Sequence, residues 1–486
     1  MNASVSESTR RLPLVTVLIF GSFIAILNQT LLVTALPSIM HDLDISPNTA
    51  QWLVTVFMLV NGIMIPITAF LIETFTTRSL FIGAMGGFAL GTLLCGIAPN
   101  FPVLMVGRII QAAGAGVVMP LVQTVFFIIF PKEKRGTAMG WFGLVISFAP
   151  ALGPVLSGWI VDHLSWRILF YMILPIALLI LLFAYYLLKN VTQVTHPKVD
   201  SLSIVLSTLG FGGILYGFGV AGHAHHLTVI VSLVVGVISV VLFVFRQLRL
   251  EQPMLEFRVF RYNLFTLSTV ISIVVFMSMI GAATILPMFM QELQQVSALE
   301  SGLALLPGAL LMGVMSPVSG RIFDRFGARG LTIVGLAIVT VTTLMLSWLH
   351  ADTAFAYISI VYAIRMIGIS MAMMPVTTAG INQLPPRLIP HGTAMSNTMR
   401  QVTGSVGTAL FVTVMTATGS PAMDGNAAMI QGVNNVFIVS TVLAAIGLVL
   451  SFFVRDSIPG AQDPKSQDPH VRKGDKPQVL TSESRP

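Results

Sequence analysis

Three arginines, Arg108, Arg365 and Arg400, stand inside long apolar stretches of this sequence, where an unpaired charge is costly. Each needs a partner or a wet cavity, so residues of this kind mark pathways for polar cargo. Asn28 and Gln29 in the first stretch, Asn61 in the second and Gln111 beside Arg108 complete the set expected to contact a substrate. None of the 19 Asp and Glu falls at the middle of an apolar stretch. Those nearest are Asp42, Glu73, Asp162, Asp200, Glu292 and Asp324, all at or beside stretch ends, and none of the nine histidines lies deeper. If transport is coupled to protons it needs a group whose pKa changes between states, and the candidates for that coupling are Glu73, Asp162 and Arg108. Bond-making chemistry lacks its parts. Cys95 is the one cysteine, and His223, His225 and His226 cluster in a short loop without a carboxylate or cysteine beside them. No Gly-x4-Gly-Lys-Ser/Thr loop is present, so energy must come from a gradient. No metal, cofactor or enzymatic activity is implied.

The elements that hold these residues follow from composition. The chain has 486 residues, 55% hydrophobic and 9% charged, and a mean hydropathy of +0.88. Soluble chains carry about 25% charge. Fourteen apolar spans lie between residues 13 and 454, many longer than the ~20 residues that cross ~30 Å of hydrocarbon. The class is an all-α polytopic membrane protein; alternating ten-residue strands of a barrel never give such runs. A short polar arm ending in Arg10 and Arg11 precedes a full-length span with no cleavage site.

An even number of spans puts both termini on one side. Of 26 Lys and Arg, Arg167 alone falls on the other side and Arg108, Arg365 and Arg400 fall within spans, leaving 22 on the side of the termini. The positive-inside rule makes that side the cytoplasm. The formal charge of +7 therefore belongs to cytoplasmic loops and not to nucleic-acid binding. The stretch from Arg249 to Phe265 is expected to lie on the inner membrane surface with its arginines at head-group level. The tail 456–486 is expected to be disordered.

A repeat is visible. Residues 62–75, GIMIPITAFLIETF, align with 313–326, GVMSPVSGRIFDRF, at an offset of 251, matching Gly62 to Gly313, Pro66 to Pro317 and Glu73 to Asp324. Two parallel six-helix bundles, 12–190 and 262–455, with two helices inserted at 201–246, satisfy this offset. Such repeats handle substrate at the bundle interface.

The segment Gly320-Arg-Ile-Phe-Asp324-Arg325-Phe-Gly327-Ala-Arg329 resembles the Gly-x3-Asp-Arg-x-Gly-x-Arg loop motif of the major facilitator superfamily. Asp324 is expected to latch one conformation by pairing with a basic group or capping a helix N-terminus. The first-half copy keeps Glu73 and Arg78 but has lost the glycines and the middle arginine, so a weak or absent latch is expected there. Gly153-Pro154-Val-Leu-Ser157-Gly158 resembles the superfamily's antiporter motif, a pliable helix packed tightly at the bundle interface. The segments around Arg108, Trp166-Arg167 and Arg400 are similar to the fourteen-helix drug:proton antiporter branch, in which an aspartate stands at the position of Asn28.

The resemblance implies a monomeric secondary exporter in a bacterial cytoplasmic membrane. It would move amphipathic drugs or antibiotics by alternating access, in exchange for protons, among membrane lipids. Two other readings stand beside it: an exporter or flippase of a lipid or anionic amphiphile, and a transporter-derived sensor. With no acid at position 28, the three arginines are expected to make the cavity positive and to favour neutral or anionic cargo over dications.

Overall fold

The computed structural model describes residues 2–192, 194–195, 197–221, 225–418 and 425–454. His223 and the tail 456–486 lie outside the described residues. The first six helices are α1 (Asn2–Leu43), α2 (Pro47–Thr74), α3 (Thr77–Gly96), α4 (Phe101–Ile129), α5 (Arg135–His163) and α6 (Arg167–Leu187). The inserted pair is α7 (Ser201–Gly219) and α8 (His226–Arg249). The last six are α9 (Asn263–Met288), α10 (Ala298–Phe326), α11 (Arg329–Met345), α12 (Phe355–Asn382), α13 (Ile389–Thr418) and α14 (Gly425–Ser451). The polar arm expected before the first span is helical, continuous with α1.

Local chemistry sets the helix starts. Ser46, Thr76 and Asn100 each accept a backbone N–H of the first turn of α2, α3 and α4, and proline follows at the first turns of α2 and α4. Ser297 and Glu300 form a reciprocal capping box on α10. Among the described residues thirteen helices are long and apolar enough to cross a membrane. The fourteenth, α13, is as long but carries His391, Asn397, Arg400, Gln401 and several threonines.

α1–α6 pack on one another, as do α9–α14, giving the two bundles of a parallel repeat. α4 and α12 are largely enclosed, whereas α8 has only Gly236, Ser239, Phe243 and Gln247 buried. α8 packs on α7, and α7 in turn lies against α2 and α13 at the seam between bundles, where Leu215 fills the space left by Gly62. The inserted pair is thus peripheral only in its outer member.

The loops rich in arginine and lysine gather at one end, which we call the basic end. There the apolar interior of the first bundle is continuous with Phe265 of α9, Met374 and Ile381 of α12 and Ile389 and Met395 of α13. The rest of the second bundle has its own core. The tightest contact is α5 on α10. Gly136, Gly140 and Gly143 recur at helical spacing and meet Gly320, Pro317 and Ser316, so the two backbones nearly touch. A Cβ on Gly140 would stand 2.5 Å from the Ser316 carbonyl oxygen.

Gly140→Val should therefore force the basic end apart, at a cost of ~1–3 kcal/mol typical of overpacking. Spin labels at the exposed positions Lys134 and Arg329 should show a lengthened distance distribution relative to the unsubstituted chain. An unchanged distribution would mean that the glycine contact does not govern closure.

Candidate functional site

Asp324, in the last turn of α10, reaches across to the other bundle. One carboxylate oxygen accepts the backbone N–H of Gly136 at 2.7 Å. The other accepts the backbone N–H of Thr137 at 2.8 Å and its hydroxyl at 2.5 Å. These are orphan donors of the first turn of α5, at the positive end of its dipole. Of the two partners expected for Asp324, the helix N-terminus is the one it has. Gly327 supports the geometry: its φ of 82° turns the chain sharply out of α10. Arg325 lies over the Phe326 ring, 5.2 Å from its centroid, and Arg329 is exposed.

The equivalent place in the first half is not empty, contrary to expectation. Glu73 Oε1 lies 3.0 Å from Nε2 of His391, at the start of α13. His391 is buried, and its Nδ1 accepts the backbone N–H of Glu256 at 3.3 Å. The counterpart of Asp324 uses an imidazole where Asp324 uses backbone amides. Sequence reading placed His391 correctly at a stretch end but gave it no role, because nothing local announces a partner 318 residues away.

Above these two contacts lies a second layer of bonds between the bundles. Thr124 and Thr393 share a 2.6 Å hydroxyl contact, and Asn397 donates to Gln123 at 2.7 Å. Arg135 of α5 donates to Asn382 of α12 at 2.8 Å, and Arg400 supports Asn397 from within α13 by donating to its Oδ1 at 2.6 Å. At mid-depth Gln401 donates to the carbonyl of Met58 at 3.3 Å. Polar contacts thus join the two bundles at this end.

The family model described as Major Facilitator Superfamily matches residues 18–408. The chain belongs to the major facilitator superfamily. It is 54% identical to the uncharacterized MFS-type transporter YcnB of Bacillus subtilis, over 96% of this chain and 100% of that one. It is 41% identical to the lincomycin resistance protein LmrB of Listeria monocytogenes, over 93% and 98% of the two chains. Its fold matches that of the human organic anion transporter MFSD10 with a TM-score of 0.68 at 13% identity, covering 91% of this chain and 99% of the other.

In this superfamily transporter the expected substrate residues are distributed unevenly. Arg108 is wholly buried: it donates to the Leu53 carbonyl at 3.3 Å and to Gln111 at 2.7 Å, and stacks over Phe57. Gln111 passes the chain on to Thr92 at 2.7 Å. Arg365, also wholly buried, donates to Thr343 at 3.0 Å and to the Ser278 carbonyl and hydroxyl at 2.6 and 2.7 Å. Thr92 and Thr343 stand 251 residues apart, so the repeat extends to the polar wiring of each bundle. Both arginines hydrogen-bond inside their own bundles, to neutral oxygens, and Arg365 keeps its buried Nη1 without a partner. Arg400 alone sits at the seam.

Asn28 is buried with its Nδ2 unpartnered, while Gln29 is half-exposed and Asn61 rests its oxygens against Gly116. Gly153 touches Thr30 of α1 within its own bundle, and Pro154 is exposed. A Cβ on Gly158 would meet open space. The tight seam expected at this motif instead lies lower on α5, at Gly136, Gly140 and Gly143, a small-residue spacing visible in the sequence. Asp162 is exposed at the far end of α5.

Asp324→Asn should weaken closure, because the amide turns N–H groups toward N–H groups. Loss of charge-assisted bonds costs ~1.5–3 kcal/mol each at a neutral acceptor, so transport by reconstituted protein should fall at least tenfold at equal insertion. Transport equal to that of the unsubstituted protein would reduce Asp324 to a structural residue.

Proposed function

We propose that this transporter is a secondary active exporter of small amphipathic drugs or antibiotics, moving them out across a bacterial cytoplasmic membrane in exchange for protons. The observation that carries the reading is the gate. Two carboxylates at equivalent places in the repeat, Glu73 and Asp324, each bind the first turn of a helix in the opposite bundle. Contacts of this kind suit alternating access: they seal one mouth at little cost and let go as units. With the basic end on the cytoplasmic side, the conformation is sealed toward the cytoplasm and corresponds to the release half of an export cycle.

The substrate class rests on kinship with relatives named for lincomycin resistance, which makes lincomycin the first compound to test. The chemistry of the seam agrees with such cargo. Asn28, Gln29, Asn61 and Gln401 offer neutral hydrogen bonds amid apolar side chains, which orient an amphipathic molecule without demanding one charge. The proton is expected on the gate groups, since the mid-depth arginines are engaged within their bundles.

Purified protein in liposomes with an acidic lumen should accumulate lincomycin or an amphipathic dye as protons leave. Collapse of the pH gradient should abolish accumulation, and a potential imposed alone should report the net charge moved. Failure of every compound to move under either gradient would remove the exporter reading. Introduced cysteines test the orientation: in intact cells those at His225 and Asn426 should react with an impermeant thiol reagent, and those at Lys134 and Arg329 should not. The buried Cys95 leaves a quiet background for this experiment.

A further inference from the structure

The segment joining α8 to α9 does not lie on the membrane surface as its sequence led us to expect. Met254, Leu255 and Val259 are buried, and they share one apolar cluster with Leu384, Leu388 and Ile389 from the turn between α12 and α13. The Glu256 N–H ties the segment to His391 of α13 at the basic end. α7 and α8 hold it from one side: the Leu255 N–H donates to Gln247 at 3.2 Å, Gln247 donates to Ser203 at 2.5 Å, and Phe257 packs edge-on against Phe243. Asp200 clamps the two inserted helices through paired bonds to Arg246 at 2.7 and 2.8 Å. Those bonds pull the Asp200 carboxyl down to about 2, so this clamp stays ionised at any physiological pH.

From the other side the segment is held by one titratable group. The Glu256 N–H can only donate and the Glu73 carboxylate can only accept, so His391 must be neutral with its proton on Nε2 to satisfy both. A second proton would occupy Nδ1. That places N–H against N–H at Glu256 and abolishes that bond, while Nε2–H to Glu73 survives as an ion pair. The proton therefore acts on one contact and spares the other.

Charged groups approach from several elements, and Glu73 is also met by the segment after α6, whose Thr195 N–H donates to its carbonyl at 2.9 Å and whose sequence carries His196 and Lys198. From α2 the facing group is Glu73. In the segment itself the Glu256 carboxylate is occupied by Arg258, through its N–H at 3.1 Å and its guanidinium at 3.3 Å, and Arg261 is exposed. Arg387, in the turn before α13, is exposed, and Arg135 of α5 is engaged with Asn382. Arg108 of α4 and Arg365 of α12 are buried in their bundles, and Arg400 lies nine residues further along α13. α9 and α14 carry no ionisable side chain, and the Tyr216 of α7 stands at the far end, against Trp52.

We propose that His391 is a proton-binding site of the gate, and that its protonation frees the segment between α8 and α9 from α13 before the bundles separate. The inserted hairpin thereby gains a purpose, for it carries a strap that must let go of α13 before the basic end can open. The idea rests on the alternating-access reading and is indifferent to which compound is moved, so its test reads conformation and not transport.

The full chain with Cys95→Ala, reconstituted in nanodiscs, would carry spin labels at the exposed positions Ser79 and Arg261. A second sample would carry them at Lys134 and Arg329. From pH 8 to pH 5 the first pair should gain a longer-distance population. The second pair should stay short, because Asp324 still holds α5. His391→Gln, which keeps a donor and an acceptor but cannot titrate, should hold the first pair short throughout. Glu73→Gln, which retains the acceptor and removes the charge favouring imidazolium, should move the midpoint to lower pH. It serves as the independent variant if His391→Gln misfolds. A first pair unchanged over this range, a transition that survives His391→Gln, or both pairs lengthening together would overturn the proposal.

Discussion

A carboxylate placed at the open first turn of a helix belonging to the other bundle is the interaction on which the rest of this structure depends. In hydrocarbon, helices gain little by hiding apolar surface from one another, because lipid tails are as apolar as leucine. What can hold two bundles together, and also release them, is a polar bond at a membrane boundary where water waits as the alternative partner. Asp324 supplies it through backbone amides, and Glu73 supplies it through an imidazole. The glycines of α5 follow from this need. Without Gly136 and Gly320 in contact, the α10 carboxylate would stand too far from the amides it binds.

The architecture was legible because its causes are local and repeated. Span length, the one-sided distribution of basic residues and the alignment of Gly62 with Gly313 each follow from rules that act on a few neighbouring residues. Asp324 was legible for the same reason, since its turn needs Gly327 beside it. The pairing of His391 with Glu73 was not, because it joins two helix ends that only the tertiary fold brings together. Ranking titratable groups by depth favoured Glu73 and Asp162 equally, yet one is bonded across the seam and the other is exposed.

The arginines illustrate a different limit. Sequence reading identified them correctly as charges that need partners, but not where the partners lie. Arg108 and Arg365 find theirs within their own bundles, in networks that end on Thr92 and Thr343, whereas Arg400 finds Asn397 at the seam. The segment after α8 was misread for a related reason. Alternating apolar and basic residues fit a membrane surface as well as they fit a protein interior, and only the burial of Leu255 and Val259 and the bond from Glu256 to His391 distinguish the two.

The polarity of α13 has a consequence for how the protein is made. Among the described residues thirteen helices are long and apolar enough to cross a membrane, and α13 is the more polar exception. Charged and amide side chains at the centre of a helix cost up to several kcal/mol on insertion unless something already in the membrane receives them. Its receptors are Gln123 and Thr124 on α4 and Glu73 on α2, all synthesised more than two hundred residues earlier. The helix that forms the seam is thus one of the last to be threaded into place, and it enters a scaffold that the first bundle must have completed beforehand.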